Sequence, residues 1–410
     1  MMTYCFMFEG QLRMSKQPKF DPRAGDSSSG SSEILEVCDL TKIYNDEILA
    51  VDDISFSIDE GDYCVIIGPS GCGKSTTLHS LVGKLNLTSG DVTLNDTNIT
   101  DVPTYNRDIG LVFQDFQLFP NLTVEENIRY GLERVEETGP KAEEAVEEML
   151  RLLNINEVRD RYPKEISAGQ KQRCALGRGL VLNPSLMLLD EPLGDLDYRL
   201  QKELETELLR IHHDTDITFV HVTHDQRQAM RLADQIVVMN DGKIEQSGSV
   251  KEIYQEPATA FVAAFVGDSN ITNGSIETVS QDGERVKVET NYGIFSATTD
   301  NLISDPEELH HETISFAIRP DSLKLTEEAD NTLTCKVEDV LYQPGGGTQC
   351  ILHATGTDGE ELEIQLKSKS KLEIEEGSTT TVGWDAEDMI LLETVSVVPD
   401  TDLEKDILGT

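Results

Sequence analysis

The sequence predicts an α/β domain around a mainly parallel sheet, carrying a helical insert and followed by a smaller all-β unit of barrel type. Three observations predict it. Strand-like and helix-like patterns alternate from about residue 33 to 240, an amphipathic helical stretch sits in the middle of that alternation, and short β-prone segments punctuated by turns take over after about residue 268. The 410 residues therefore divide into an N-terminal extension (1–32), an α/β domain (33–267) and an all-β domain (268–410).

In chain order, residues 1–32 end in Asp26-Ser-Ser-Ser-Gly-Ser-Ser32, a composition expected to stay unstructured, and either Met1 or Met14 can serve as the start. No charged stretch leads into a long apolar core, so no signal peptide is expected. Cys64-Val65-Ile66-Ile67 and Leu186-Met187-Leu188-Leu189 have the length of buried strands, and no window approaches the roughly 18 apolar residues of a membrane helix. Val146, Met149, Leu150 and Leu153 fall at helical spacing opposite Glu143, Glu144, Glu147 and Glu148, which defines an amphipathic helix with an acidic outer face. Leu200, Leu204, Leu208 and Ile211 repeat that core spacing. Farther on, Thr313–Ile318 and Glu361–Leu366 alternate with turns at Asp282-Gly283 and Asp358-Gly359, and Gly345-Gly346-Gly347 is expected to be a turn as well.

The net charge is −42, from 76 acidic against 34 basic residues. A surface this acidic repels phosphate backbones, so no nucleic-acid partner is expected. The excess is spread along the chain, as suits concentrated salt, and points to a halophilic, haloarchaeal source; an unusually acidic mesophilic protein is the alternative. Seven cysteines without a Cys-x-x-Cys pair fit reduced thiols rather than a disulfide framework or zinc site.

Gly68-Pro-Ser-Gly-Cys-Gly-Lys-Ser75 lies between the apolar run ending at Ile67 and a helical run from Thr76, the frame that a phosphate-binding P-loop requires. Glycines let backbone N–H groups turn toward phosphate oxygens at a helix N-terminus. Gly68, Pro69, Ser70, Gly71, Cys72, Gly73, Lys74, Ser75 and Thr76 are thus expected around a nucleotide, ATP, with Lys74 on the β- and γ-phosphates and Ser75 on Mg²⁺. Cys72 is a small filler in that loop. Leu186-Met-Leu-Leu-Asp190-Glu191 is an apolar strand ending in two carboxylates: Asp190 suits the metal, and Glu191, pointing elsewhere, suits polarising the attacking water.

Further elements follow in a fixed order. Tyr44 precedes the P-loop, Gln114 follows Val112-Phe113, Ile166-Ser-Ala-Gly-Gln170 leads into Lys171-Gln172-Arg173, Gly194-Asp-Leu-Asp197 follows the acidic strand, and His224 ends Val220-His-Val-Thr223. This order resembles the ABC ATPase family across nearly all of residues 33–240. The resemblance implies two copies packed head to tail, as a homodimer or with a paralogous ATPase, sandwiching two ATP molecules. Each ATP would lie on one P-loop and be covered by the partner's Ser167, Ala168, Gly169 and Gln170. Tyr44 would stack on adenine, Gln114 would sense the metal and water, His224 would hold the γ-phosphate, and Asp197 would cross the interface. The chain departs from the family pattern at Ile166 and Ala168 (usually leucine and glycine), at Gly177 and Gly179 (usually alanine) and at Gly194 (usually serine). Ala168 is expected to alter closure, and each helical glycine to cost up to about 1 kcal/mol.

Past residue 240, Asp241-Gly-Lys-Ile-Glu-Gln-Ser-Gly, Ile253-Tyr254, Pro257 and Phe261–Gly267 look like importer ATPases with a C-terminal OB-like (TOBE) extension, and Phe316-Ala-Ile-Arg-Pro-Asp321 is similar to a recurring turn there. Asp197-Tyr-Arg-Leu200 and Phe265–Ile271 look most like the spermidine/putrescine branch; sugar, molybdate/tungstate, sulfate and ferric iron importers are the alternatives. The resemblance implies two integral-membrane permeases, an extracytoplasmic solute-binding protein and a place on the cytoplasmic face of the membrane. A soluble ABC protein acting on nucleic acid or ribosomes would need a tandem ATPase domain or a coiled-coil insert, plus a basic surface, and none of these is visible.

Overall fold

The structure, a computed structural model, describes residues 33–393 apart from positions 46, 195, 196, 303, 344 and 345. The expectations for residues 1–32, the start at Met14, part of the Gly194–Asp197 segment and part of the Gly345–Gly347 turn lie outside the described residues.

The first half runs β1 (Glu33–Tyr44), β2 (Ile48–Asp59), β3 (Tyr63–Ile67), α1 (Lys74–Leu81), β4 (Ser89–Leu94), β5 (Thr97–Asn98), β6 (Ile109–Val112), α2 (Val124–Arg134), α3 (Pro140–Leu152), α4 (Ala168–Leu180) and β7 (Leu186–Asp190). It continues through α5 (Tyr198–Thr215), β8 (Thr218–Val222), α6 (Gln226–Leu232), β9 (Gln235–Asn240), β10 (Lys243–Ser249), α7 (Val250–Gln255) and α8 (Ala260–Phe265). The central sheet has the order β10-β9-β3-β8-β7-β6 and is parallel except for β10. Its inner strands are buried on both faces, which is why β3 and β7 read as unbroken apolar runs. Tyr63, Val65 and Ile67 face one core with α2–α8, while Cys64 and Ile66 face another that contains α1.

A second, antiparallel sheet, β2-β1-β4-β5, covers α1 from the other side. The sequence reading did not anticipate it. Register shifts at Val37/Leu40, Leu40/Lys42 and Lys42/Ile43 break the alternation of β1, so its pattern is not that of a regular strand. The helical insert forms α2–α4: Thr123 and Glu126 make a reciprocal cap on α2, and Gly139-Pro140 opens α3. Gly177 and Gly179 in α4 have a packing reason that offsets their helical cost. A Cβ at Gly177 would sit 2.7 Å from Leu153 Cδ1, and one at Gly179 only 2.4 Å from Met187 Cε. His212 packs edge-on against Tyr63 and Phe219 with centroids 5.3 and 5.2 Å away, because its place in the last turn of α5 turns it onto β3 and β8.

The all-β part comprises β11 (Asn270–Val279), β12 (Arg285–Thr290), β13 (Gly293–Thr298), β14 (Thr313–Ile318), β15 (Lys324–Leu325), β16 (Asn331–Tyr342), β17 (Thr348–Thr355), β18 (Glu361–Ser368), β19 (Thr379–Trp384) and β20 (Met389–Leu392). They form two five-stranded antiparallel sheets, β13-β12-β11-β14-β20 and β15-β19-β16-β17-β18, over one core that includes Phe295, Phe316 and Trp384. Asn270 stitches the sheets: its side chain donates to Gln365 O (2.9 Å) and accepts from Gln365 N (2.7 Å).

Arg319 ties this unit to α7 and α8. The residue is 5% exposed, and its guanidinium donates to the carbonyl oxygens of Tyr254, Ala263 (2.9 Å) and Val266 and to Ser269 Oγ (2.7 Å), and stacks 4.4 Å from the Tyr254 ring centroid. Gly267, at φ +105°, leaves room for it; a Cβ there would lie 2.7 Å from Arg319 Nη1.

Candidate nucleotide site

The site gathers at the C-terminal ends of β3, β7 and β8. After β3 the chain turns through 68–73 into α1, whose first residue is Lys74. Gly73 caps the helix at φ 105° with no side-chain cap, so the first backbone N–H groups of α1 are left to a ligand. The loop is braced from below: Gly242 N donates to Cys72 O (3.1 Å), and Asp52 N donates to Gly242 O (2.8 Å). Gly68 and Gly73 are obligatory on steric grounds, whereas Gly71 is favoured by its φ of +85° alone. A Cβ at Gly68 would stand 2.2 Å from Met239 O, and one at Gly73 2.6 Å from Ala50 O. Lys74 is buried, and its Nζ donates to Gly68 O and Pro69 O at 2.8 Å each. Cys72 is buried beside it, with Sγ 3.8 Å from Lys74 Nζ, and burial pushes the thiol pKa up, though the neighbouring ammonium opposes this.

Ser75 Oγ donates to Asp190 Oδ1 at 3.2 Å, and His79 Nε2 lies 3.3 Å from Asp190 Oδ2. His79 escaped the sequence reading; its position one helical turn after Ser75 was the signal that could have found it. Glu191 does point elsewhere, for a backbone reason. It adopts φ 43°, a left-handed conformation that a non-glycine residue occupies only under constraint, here with its N–H fixed on Val222 O at 3.0 Å. The turn carries its carboxylate to His224, whose Nδ1 is 3.2 Å from Glu191 Oε2. Gln114 lies in the same neighbourhood: a Cβ built on Gly194 would lie 3.5 Å from Glu191 Oε2 and 3.8 Å from Gln114 Nε2. Tyr44, at the end of β1, places its hydroxyl 3.4 Å from Thr76 Oγ1, with Lys42 Nζ 5.3 Å from its ring centroid.

The remaining candidates stand apart. Ser167 caps α4, accepting from Gln170 N (3.3 Å) while Gln170 Oε1 accepts from Ser167 N (2.9 Å). Ser167 and Ala168 are exposed, and Gly169 packs on α5, where a Cβ would come 3.2 Å from Leu200 Cδ1. Asp197 caps α5 through Arg199 N and Leu200 N. Among the described residues, no hydrogen bond or ion pair joins Ser167–Gln170 to the P-loop of the same chain.

The donor set fits the groups it is expected to take. A hydroxyl and a carboxylate on adjoining elements are the hard oxygen ligands that suit magnesium, and the glycine-lined turn with an ammonium at its floor suits phosphates. Among the described residues, no cluster of three or more His, Cys, Asp or Glu is arranged to hold a metal by itself, so a metal here would need further oxygens from substrate or water.

A parallel sheet with a P-loop at its switch from strand to helix, an acidic strand beside it and a histidine at the end of the next strand defines an ABC-type ATPase. The ABC transporter family model matches residues 51–194, and the TOBE domain model matches residues 316–392. The spermidine/putrescine import ATP-binding protein PotA of Rubrobacter xylanophilus is 36% identical over 381 residues, covering 92% of this chain and 99% of that protein. The xylose/arabinose import ATP-binding protein XacK of Haloferax volcanii is 37% identical over 362 residues, covering 85% and 91%. Among solved structures, cbiO1 from Clostridium perfringens, part of the ABC transporter complex cbiONQ, is 30% identical with a TM-score of 0.50 over 54% of this chain and 90% of that one. The chain belongs to the ABC importer ATP-binding family, as an ATP-hydrolysing subunit with a C-terminal TOBE domain. No helix among the described residues is long and apolar enough to cross a membrane.

Proposed function

We propose that this ATPase drives polyamine import, working on the cytoplasmic face of the membrane with a second ATPase subunit, two integral-membrane permeases and an extracytoplasmic binding protein. One observation carries the motor reading. Ser75, Asp190, Glu191, His224 and Gln114 converge at one end of the sheet, while Ser167 and Ala168 stand exposed at a helix cap that, among the described residues, makes no hydrogen bond or ion pair to the P-loop of its own chain. A cap so placed suits covering a nucleotide held by another subunit. Division at about residues 267 and 268 assigns the ATPase unit to 33–267 and the β unit to 268–410.

In this reading Lys74 exchanges Gly68 O and Pro69 O for β- and γ-phosphate oxygens, and the first turn of α1 supplies N–H groups to the rest. Ser75, Asp190 and Gln114 are the residues placed to hold Mg²⁺, which would neutralise charge on the transferring phosphate. Glu191 takes a proton from water as the new oxygen–phosphorus bond forms and the bond to ADP breaks. His224, already in contact with that carboxylate, restrains it and reaches the γ-phosphate. Tyr44 offers its ring to adenine, and Asp197 reaches the opposite subunit.

Likeness to a spermidine/putrescine protein over nearly the full length supports the polyamine reading, and likeness to a xylose/arabinose protein supports a pentose as the second. Proteoliposomes holding the complete complex should take up labelled spermidine in an ATP-dependent way; uptake of xylose with none of spermidine would replace the solute. Glu191→Gln should keep ATP binding, lower hydrolysis by about 10²–10⁴-fold and trap a closed pair on size exclusion, and full hydrolysis in this variant would remove Glu191 from its role.

A further inference from the structure

We propose that His79 is a positioning residue for Asp190, gripping the carboxylate oxygen that Ser75 leaves free. The proposal rests on the magnesium–nucleotide reading above.

Ser75 and His79 are one turn apart on α1 and so share a helix face. Each addresses a different oxygen of the same carboxylate: Ser75 Oγ reaches Oδ1 at 3.2 Å and His79 Nε2 reaches Oδ2 at 3.3 Å. The ring nitrogen is buried and makes no hydrogen bond, so its 3.3 Å ionic contact with Asp190 Oδ2 is the polar interaction open to it. Both side chains are largely shielded, at 21% and 13% exposure. The imidazole is also held from behind, packed 6.4 Å from the Phe113 ring, which in turn carries Lys84 Nζ at 5.0 Å. Phe113 immediately precedes Gln114, so His79 touches both strand ends that deliver oxygen ligands.

A carboxylate that must coordinate a metal through one oxygen swings about its terminal torsion unless the other oxygen is held. Ser75 cannot supply that hold, because its hydroxyl is itself a proposed ligand. His79 can, since its Nε2 stands 3.3 Å from Oδ2 and makes no hydrogen bond to another acceptor. Outer donors of this kind typically contribute a factor of about 10–100 in metal affinity.

The test uses the full chain with ADP and Mn²⁺ as an EPR probe, comparing wild type, His79→Leu, His79→Gln and Asp190→Asn. Leucine should weaken Mn²⁺ binding by about 10–100-fold with ADP affinity in EDTA unchanged, and glutamine, whose amide nitrogen reaches the place of Nε2, should restore most of it. Should leucine unfold the chain, His79→Asn, too short to reach Oδ2, should show the same loss. Wild-type affinity in both the leucine and asparagine variants, or a glutamine variant as weak as leucine at an unchanged melting temperature, overturns the role of His79. Equal Mn²⁺ binding by wild type and Asp190→Asn would instead overturn the metal-site reading itself.

Discussion

At the scale of single residues, the site works by dividing labour between neighbours that the backbone separates. Asp190 and Glu191 are adjacent in sequence, yet the left-handed φ at Glu191 sends one carboxylate to α1 and the other to His224. Another carboxylate offers a test of a different kind. Desolvation, aided by Asp234 and Asp59, raises the Asp62 pKa from 3.8 to about 6. The folded chain therefore binds this proton more tightly than the unfolded one, so stability is lost as pH rises between those two values. Asp62→Asn should melt higher than wild type at pH 7.5, by about 1 kcal/mol after allowing for solvent screening, and the gain should vanish toward pH 4. An equal shift at both pH values would attribute it to something other than titration. The motif residues were legible because glycine, lysine and serine at fixed spacing have few other uses in a strand-to-helix frame. His79 was not, since a single histidine on a helix carries no signal until the strand it faces is known.

Helices and strands set the next level. α4 begins at an exposed cap, and Ala168, itself exposed, occupies its first turn. Alanine there favours the helix over glycine by up to about 1 kcal/mol. Ala168→Gly should thus lower the melting temperature slightly while raising ATP turnover, if the methyl hinders closure; a variant that melts lower with unaltered turnover would show the methyl to be purely local. Arg319 acts on two helix ends at once, α7 and α8, through carbonyl oxygens rather than a carboxylate. Arg319→Met removes charge-assisted bonds and should cost on the order of 3 kcal/mol in chemical denaturation, with the β unit melting first. A single unshifted transition would refute it. The parallel sheet, the amphipathic α3 and the strands β14 and β18 were readable from periodicity. The antiparallel sheet over α1 was hidden by bulges in β1, and the clamp by Arg319 depends on chain segments brought together only by folding.

For the whole molecule, the net charge of −42 dominates behaviour in solution. The long-range part of that self-repulsion is screened within about 3 Å at 1 M salt, against about 10 Å at 0.1 M. The melting temperature should rise steadily between 0.2 and 2 M KCl, and a fall over that range would exclude adaptation to concentrated salt. The order in which the chain is made bears on the site too. The floor of the P-loop is not local: Met239 O and Gly242, from β9 and the turn after it, close against Gly68 and Cys72. A ribosome that has finished the glycine-rich loop has therefore not finished a nucleotide-binding surface. The nascent chain is expected to hold ATP firmly only once the last parallel strand has emerged and slotted beside β3.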